Sequence, residues 1–563
     1  MLIRDHFEEK VTVVSIVGMG GLGKTTLAQL VYGDKNVESH FQLRIWVCVS
    51  DDFNVAKLAR NIMLTASGKS YNDNEPMEVL QRDLRQLLGQ KRYLLVLDDV
   101  WNEDHLKWDA LRRLLLDGEE GSRILVTTRN ENCSTIMGAK KSYLLQGLSE
   151  ERSWALFEGT FTTSVSRQPD FPEIGKKIVN KCKGLPLAIK VMGSVMCSKR
   201  DESQWQAVLD NEIWDILRAK DDFGPALWLS YVDLPSQLKK CFAFCAIFPK
   251  DSVIEVDMLV QFWMAQGFIP FQTRKETEVE GRDIFSELIW RSLLQNVTTN
   301  NYVGGTHYYS SKGGGWKVPR FCKMHDLIHD LAQFVTGDEC STLPGSNEFK
   351  KISKRTRHFI LSPGVGYDMG DRALSVRTAL SVGTNFNGLS KLKLLRVLDM
   401  CSESNVDELS TSIQYLLHLR YLDLSDTNIR ELPESICMLV NLQTLNLNGC
   451  DLLTKLPMSI VYMNSLRHLH LSRCPELKIM PFGLSRLRCL KTLTKYIVSD
   501  KAGNNLGELK HWNLDGELGL YDLHKVKNAD EAKEAKMSSR QSINSLSCLG
   551  EHQWKMQNKC WKP

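Results

Sequence analysis

The residues best equipped for chemistry lie near the start of the chain. Gly18-Met19-Gly20-Gly21-Leu22-Gly23-Lys24-Thr25-Thr26 fits GxxxxGK[ST], with Gly18, Gly23, Lys24 and Thr25 at the defining positions. Glycines at 18, 20, 21 and 23 let main-chain N–H groups curl round phosphate oxygens without side-chain clash. The apolar run 27–31 predicts a following helix, whose N-terminus adds partial positive charge at the same place. In such a loop Lys24 neutralises β- and γ-phosphates and the Thr25 hydroxyl ligates Mg²⁺. Thr26 donates to the α- or β-phosphate. The chemistry implied is the gripping of a nucleoside di- or triphosphate.

Two further positions could act on that ligand. Leu94-Leu-Val-Leu-Asp98-Asp99 ends a hydrophobic strand in two carboxylates, where a parallel sheet presents its ligand chemistry. There Asp98 would hold Mg²⁺ through water, and Asp99 could orient or deprotonate an attacking water. Many strands end in Asp at a turn, so the weight comes from the glycine loop eighty residues earlier. Ile124-Leu-Val-Thr-Thr128 ends in Arg129, a cation able to sense a γ-phosphate; a surface arginine at a strand end would read identically.

These groups need a scaffold. Short Val-, Ile- and Leu-rich strands are expected at 11–17, 43–49, 93–97 and 123–127, with amphipathic stretches such as 77–89 between them. That alternation predicts a parallel sheet covered on both faces, within a P-loop domain over 1–148. Residues 149–223 turn helical, with Trp154, Phe157, Ile174 and Ile178 at helical spacing. Residues 224–336 are also helix-rich and include a glycine-rich loop at 298–315 between two short strands, the pattern of a winged helix. After a linker at 337–385, residues 386–495 repeat LxxLxL from Leu395, Leu419, Leu442 and Leu466 every 23 or 24 residues. Thr427, Cys450 and Cys474 take the next consensus position, where the chain turns off its strand. Residues 496–563 read as a degenerate repeat and an unpatterned tail. The fold class is therefore multidomain α/β, ending in a short leucine-rich-repeat solenoid.

Composition narrows the partners. The 563 residues carry 71 Lys plus Arg against 67 Asp plus Glu, a net +4 too small to argue for nucleic acid. No apolar run reaches membrane-spanning length, so no membrane span is expected. The fifteen cysteines are scattered, and Cys48, Cys182 and Cys241 sit in apolar runs. They read as reduced, buried thiols of a cytoplasmic protein.

Taken together these motifs resemble the NB-ARC module of plant NLR disease-resistance proteins. The resemblance is carried further by Phe41-Gln-Leu-Arg-Ile-Trp-Val-Cys-Val-Ser50, Gly121-Ser-Arg-Ile-Leu-Val-Thr-Thr-Arg129 and Cys182-Lys-Gly-Leu-Pro-Leu-Ala188. It continues through Cys241-Phe-Ala-Phe-Cys-Ala-Ile-Phe-Pro249 and Met324-His325-Asp326. Trp101 after Asp98-Asp99-Val100 resembles the coiled-coil subclass. The resemblance implies that Pro186 packs on adenine and that His325 contacts the ADP β-phosphate in a closed state, with Asp326 fixing that arrangement. It implies an ADP/ATP switch for innate immunity, with hydrolysis as a slow reset. It implies repeats that meet a pathogen effector or a guarded host protein, and self-association or a helper NLR. A turnover ATPase, and an interaction-only decoy or adaptor with a vestigial site, are the alternatives.

His325 and His329 also stand at i and i+4, as in a zinc helix, but Asp326 replaces the glutamate of that motif and no third ligand is evident. Lys312, Lys317 and Arg320 raise DNA contact, though a few basic loop residues are usually solvated charge. The family begins with a coiled coil and a Gly-Arg pair that cups adenine, and residues 1–17 supply neither. With the patternless tail around Trp554 and Trp561, this predicts a partial gene product.

Overall fold

A computed structural model describes the chain apart from residues 1, 4–8, 50–52, 70, 72–74, 166–170, 217–223, 271–275, 298–319, 344–352, 362–366, 369–374, 383–385, 388, 403–405, 501–502, 537–542 and 550–563. The expected loop at 298–315, with Lys312 and Lys317, and the tail tryptophans lie outside the described residues.

Five strands form the first sheet: β1 (Val11–Val17), β2 (Leu43–Cys48), β3 (Tyr93–Val100), β4 (Ser122–Thr128) and β5 (Lys141–Leu144). Their order is β2-β3-β4-β1-β5 and every pairing is parallel. Side chains alternate between two cores. Val11, Val13, Leu95, Leu97, Ile124 and Val126 pack on one side with Leu58, Leu84 and Trp108. Val14, Ile16, Leu94, Val96 and Leu125 pack on the other with Ala28 and Phe41. Truncating one such leucine to alanine costs about 2–5 kcal/mol. Strand β5, with all four residues exposed, was not expected from the sequence. Cys48 is exposed where a buried thiol was expected, because it sits at the tip of edge strand β2.

Helices Glu150–Val165, Pro172–Lys181 and Pro186–Cys197 follow, with Phe157, Ile178 and Trp205 in their shared core. Beyond them, helices Val256–Gln266, Thr277–Trp290 and Asp326–Thr336 pack round a small antiparallel sheet. Its strands are β6 (Ile254–Glu255), β7 (Gln295–Val297) and β8 (Phe321–Lys323), in the order β6-β8-β7. This is a winged helix.

The repeats form parallel strands at Val397–Asp399, Tyr421–Asp423, Thr444–Asn446 and His468–His470, with Leu398, Leu422, Leu445 and Leu469 in register and buried. Thr427 Oγ1 donates to the Leu424 carbonyl at 2.7 Å and Cys474 Sγ to that of Leu447 at 3.0 Å, tying the chain where it leaves each strand. The same sheet extends toward the N-terminus through Cys340–Leu343, His358–Leu361 and Thr378–Leu380, in the stretch expected to be a linker. Past the four repeats it gains Thr492–Leu493, and Lys495–Ile497, Gly516–Tyr521 and Ile543–Leu549 then form a second parallel sheet. Order therefore continues into the region expected to be degenerate.

The winged helix docks on the repeats through its own core, which takes in Leu380, Val397 and Tyr421. Phe262 meets Tyr421 edge-on at 4.7 Å, and Gln266 Nε2 donates to Thr378 Oγ1 at 2.8 Å. Arg467 grips Glu278 with two parallel bonds of 2.7 Å, and Lys491 pairs with Glu276 at 2.5 Å.

Candidate nucleotide site

Strand β1 delivers Gly18, whose N–H donates to the Thr128 carbonyl on β4 at 3.2 Å. The loop then climbs over the sheet edge and enters the helix Lys24–Tyr32. Gly21 has φ +75, a left-handed backbone that L-residues rarely adopt, and a Cβ there would lie 3.0 Å from Leu187 Cβ. A Cβ on Gly20 would lie 3.0 Å from Leu327 and 3.1 Å from Arg129 Cζ. The loop is thus roofed by side chains from two other parts of the chain. Leu187 also donates its N–H to the Gly21 carbonyl at 3.3 Å.

Lys24 is buried, and its ammonium donates to the Met19 carbonyl at 3.0 Å. Burial pushes it down to about 8; Asp99 opposes that shift, Arg129 adds to it and Asp98 opposes it. A buried ammonium resting on a neutral carbonyl, beside main-chain amides, suits a phosphate. Thr25 Oγ1 donates to Asp98 Oδ1 at 3.0 Å, so the two expected Mg²⁺ residues are brought together. Asp98 is buried, which raises its pKa against hydrogen bonds from Thr127 and Thr25. A divalent cation at that pair would supply charge that favours the carboxylate. Thr26 lies exposed on the first turn of the helix.

Thr127 ties down the Asp98 carboxylate and the main chain of Asp99. Its Oγ1 donates to Asp98 Oδ1 at 2.5 Å and accepts from the Asp99 N–H at 2.8 Å. Asp99 has φ +57, at the point where the β3–β4 register shifts between Leu97 and Val100. Its Oδ2 accepts from the Trp101 indole N–H at 3.0 Å.

Arg129 turns toward the winged helix, where its guanidinium forms an ion pair with Asp326. It also lies over the Trp101 ring, with Cζ 4.4 Å from the centroid. His325 is the N-cap of the helix Asp326–Thr336: the Leu327 N–H donates to His325 Nδ1 at 3.2 Å and to Asp326 Oδ1 at 2.9 Å. Burial pushes the His325 imidazole down to about 3, with Arg129, Lys323 and Lys24 adding to the shift, so the ring is neutral near pH 7. Nδ1 also lies against Asp326 Oδ1, so the N-cap histidine and the carboxylate form one group. His329 instead contacts the Phe248 carbonyl through Nε2 at 2.7 Å, so the histidine pair does not converge as a zinc helix would. Pro186 begins the helix Pro186–Cys197, next to Leu187 over the loop. The turn before it needs Gly184, with φ +70, where a Cβ would come within 2.5 Å of the Leu148 carbonyl oxygen.

A glycine loop closed off by a helical domain and a winged helix, on a parallel sheet that ends in paired carboxylates, is a nucleotide-binding architecture. The NB-ARC domain family matches residues 2–165, and the disease resistance protein winged helix domain matches residues 247–332. A leucine-rich repeat region matches residues 373–563. The chain belongs to the NB-ARC leucine-rich-repeat disease-resistance family. RGA1 of Solanum bulbocastanum is 41% identical over 552 residues, covering 98% of this chain and 52% of its own length. The disease resistance protein RGA2 of the same species is 42% identical over 540 residues, 96% of this chain and 52% of its own. The disease resistance RPP13-like protein 4 of Arabidopsis thaliana is 33% identical over 448 residues, 75% of this chain and 49% of its own. The chain thus spans about half the length of these relatives. Among the described residues no helix is long and apolar enough to cross a membrane. The NB-ARC domain carries nucleotide binding with it.

Proposed function

We propose that this NB-ARC chain is an ADP/ATP switch in plant innate immunity, closed with ADP and opened by exchange for ATP. The observation that carries the reading is the roof over the glycine loop. Leu327 lies against Gly20, and its neighbour Asp326 pairs with Arg129 at the tip of β4. A ligand in the loop therefore sits beside the element that must leave for the site to open. Gly18 to Thr26 would hold the phosphates with Lys24 as counter-charge, Thr25 and Asp98 would hold Mg²⁺, and Pro186 would pack on adenine. His325 would contact the β-phosphate. When bound, Mg²⁺ would offset the phosphate charge.

Nucleotide can drive the switch only by binding the two arrangements unequally, and a near-complete shift takes about 5.5 kcal/mol of difference. Asp99 and Arg129 are the candidate hydrolytic residues. Both are engaged, with Trp101 and Asp326 respectively, which favours slow hydrolysis as a reset over rapid turnover. The repeats would serve recognition of an effector or guarded host protein and restraint of the winged helix, in the cytoplasm, with self-association or a helper NLR downstream.

The test is ADP release from the purified chain beside its Asp326→Val variant, together with steady-state ATP hydrolysis. The switch predicts faster release in the variant and turnover far below one per second in both. Turnover of several per second would make the chain a working ATPase. Absence of bound nucleotide, with no effect of Lys24→Ala, would make it an interaction-only protein.

A further inference from the structure

Neither the phosphate grip nor the roof requires an indole at position 101. Its surroundings are specific. The ring is 38% exposed at the end of β3, two residues beyond Asp99, and its N–H is spent on Asp99 Oδ2 at 3.0 Å. Two cations reach the ring: Arg129, with Cζ at 4.4 Å, and Lys250, with Nζ at 5.6 Å. Each cation is held by a carboxylate of the same winged-helix element. Arg129 pairs with Asp326, and Lys250 pairs with Asp330 at 2.7 Å. Asp326 and Asp330 stand at i and i+4, so one face of the helix Asp326–Thr336 sets both cations.

We propose that Trp101 is a latch through which docking of the winged helix keeps the Asp99 carboxylate masked. The inference rests on the switch reading for its purpose but not for its geometry. With the winged helix docked, two cations held by its carboxylates fix the indole, and the indole N–H occupies Asp99. When the winged helix departs, Lys250, Asp326 and Asp330 leave with it. Arg129 loses its counter-ion, the indole loses its anchors, and Asp99 becomes free to accept from water. Trp101 is thus a positioning residue, which ties the reset chemistry to opening. Trp101→Phe separates its two roles, since phenylalanine keeps an aromatic face for the cations and removes the N–H donor.

The first measurement needs no nucleotide. Carbodiimide labelling of Asp99 in the full chain, read by peptide mass spectrometry, should run about tenfold faster in Trp101→Phe, the factor expected from losing one hydrogen bond to a carboxylate. Lys250→Met should raise it by a smaller factor while leaving the donor in place, which guards against a folding defect at position 101. Equal labelling in wild type and both variants would overturn the latch. The second measurement is single-turnover ATP hydrolysis. It should rise in Trp101→Phe, with ADP release within about twofold of wild type, and the rise should vanish in Trp101→Phe/Asp99→Asn. A rise that survives loss of Asp99 would also overturn the latch. Failure of the wild type to bind any nucleotide would defeat the switch reading and leave the labelling result to decide the latch.

Discussion

The winged helix is held at two seams of different construction. Against the repeats it is fastened by shared apolar core, Phe262 on Tyr421, and by the two-bond Glu278–Arg467 pair, in which both side chains are largely buried. Against the nucleotide loop it offers one leucine over glycine backbone, one ion pair, and cations resting on an indole. The first seam buries apolar area continuously, and such area contributes about 25 cal/mol per Å². The second replaces area with a few charges whose balance a phosphate can alter. Burial of apolar area and pairing of charge thus call for different residues, and the same domain carries both.

The comparison breaks most sharply at Lys24. Lys24→Ala should weaken ADP binding about a hundredfold or more in calorimetry, since a charge-assisted partner of phosphate is removed. Its melting temperature should hardly fall, because the wild-type ammonium is buried on a neutral carbonyl. Lys24→Arg should also weaken binding, because a planar fork cannot replace a compact ammonium among backbone amides. Wild-type affinity in either variant would remove the loop from the account.

Arg467→Ala probes the other seam. It leaves Glu278 buried beside His468 without its guanidinium, a loss of about 3 kcal/mol by analogy with buried pairs. Chemical unfolding should record it, with ADP affinity changed little if the seams are separate. Burial alone would raise the Glu278 carboxyl, but His468 beside it and the two bonds from Arg467 outweigh it and hold the group well below the usual range. Because the folded value is the lower one, this stability is present above the unfolded carboxylate value near 4.3 and is lost as pH falls below it. Arg467→Ala should therefore flatten the acid limb of the stability curve.

Asp326→Val should raise the ADP off-rate about tenfold, the factor of one charge-assisted bond. An unchanged off-rate would mean that the ion pair with Arg129 does not hold the site closed. The smallest effect is that of pH on affinity. Lys24 is lowered to about 8, so ADP affinity should be flat below that value and fall above it, by at most tenfold per pH unit, as the ammonium is lost. A bound phosphate favours the charged form, so the break should lie higher in the complex than in the free chain.

Local patterns were readable in the sequence, and meetings between distant segments were not. The loop 18–26, Asp98 and the four LxxLxL strands are each written within a dozen residues, where spacing alone reports burial. Strand β5 was missed because four residues, of which only Tyr143 and Leu144 are apolar, are too short a run to show a strand pattern. The stretch 337–385 reads as a linker because the strands it adds to the repeat sheet begin 18 to 20 residues apart, against 23 or 24 in the repeats, and lack the full leucine pattern. Thr127 stands within a motif, but its two hydrogen bonds, one to the Asp98 carboxylate and one from the Asp99 N–H, need the β3–β4 register. Lys250 gave no signal at all, since its place over Trp101 depends on how the winged helix docks.

Main-chain amides and Lys24 are proposed to grip a purine nucleotide under the winged helix. The most direct test is to denature the purified chain and identify released nucleotide by chromatography, with calorimetry on the emptied protein. Close to one ADP per chain is expected, with rebinding that Lys24→Ala weakens about a hundredfold or more. A chain that releases none and takes up none at millimolar ADP or ATP would contradict it.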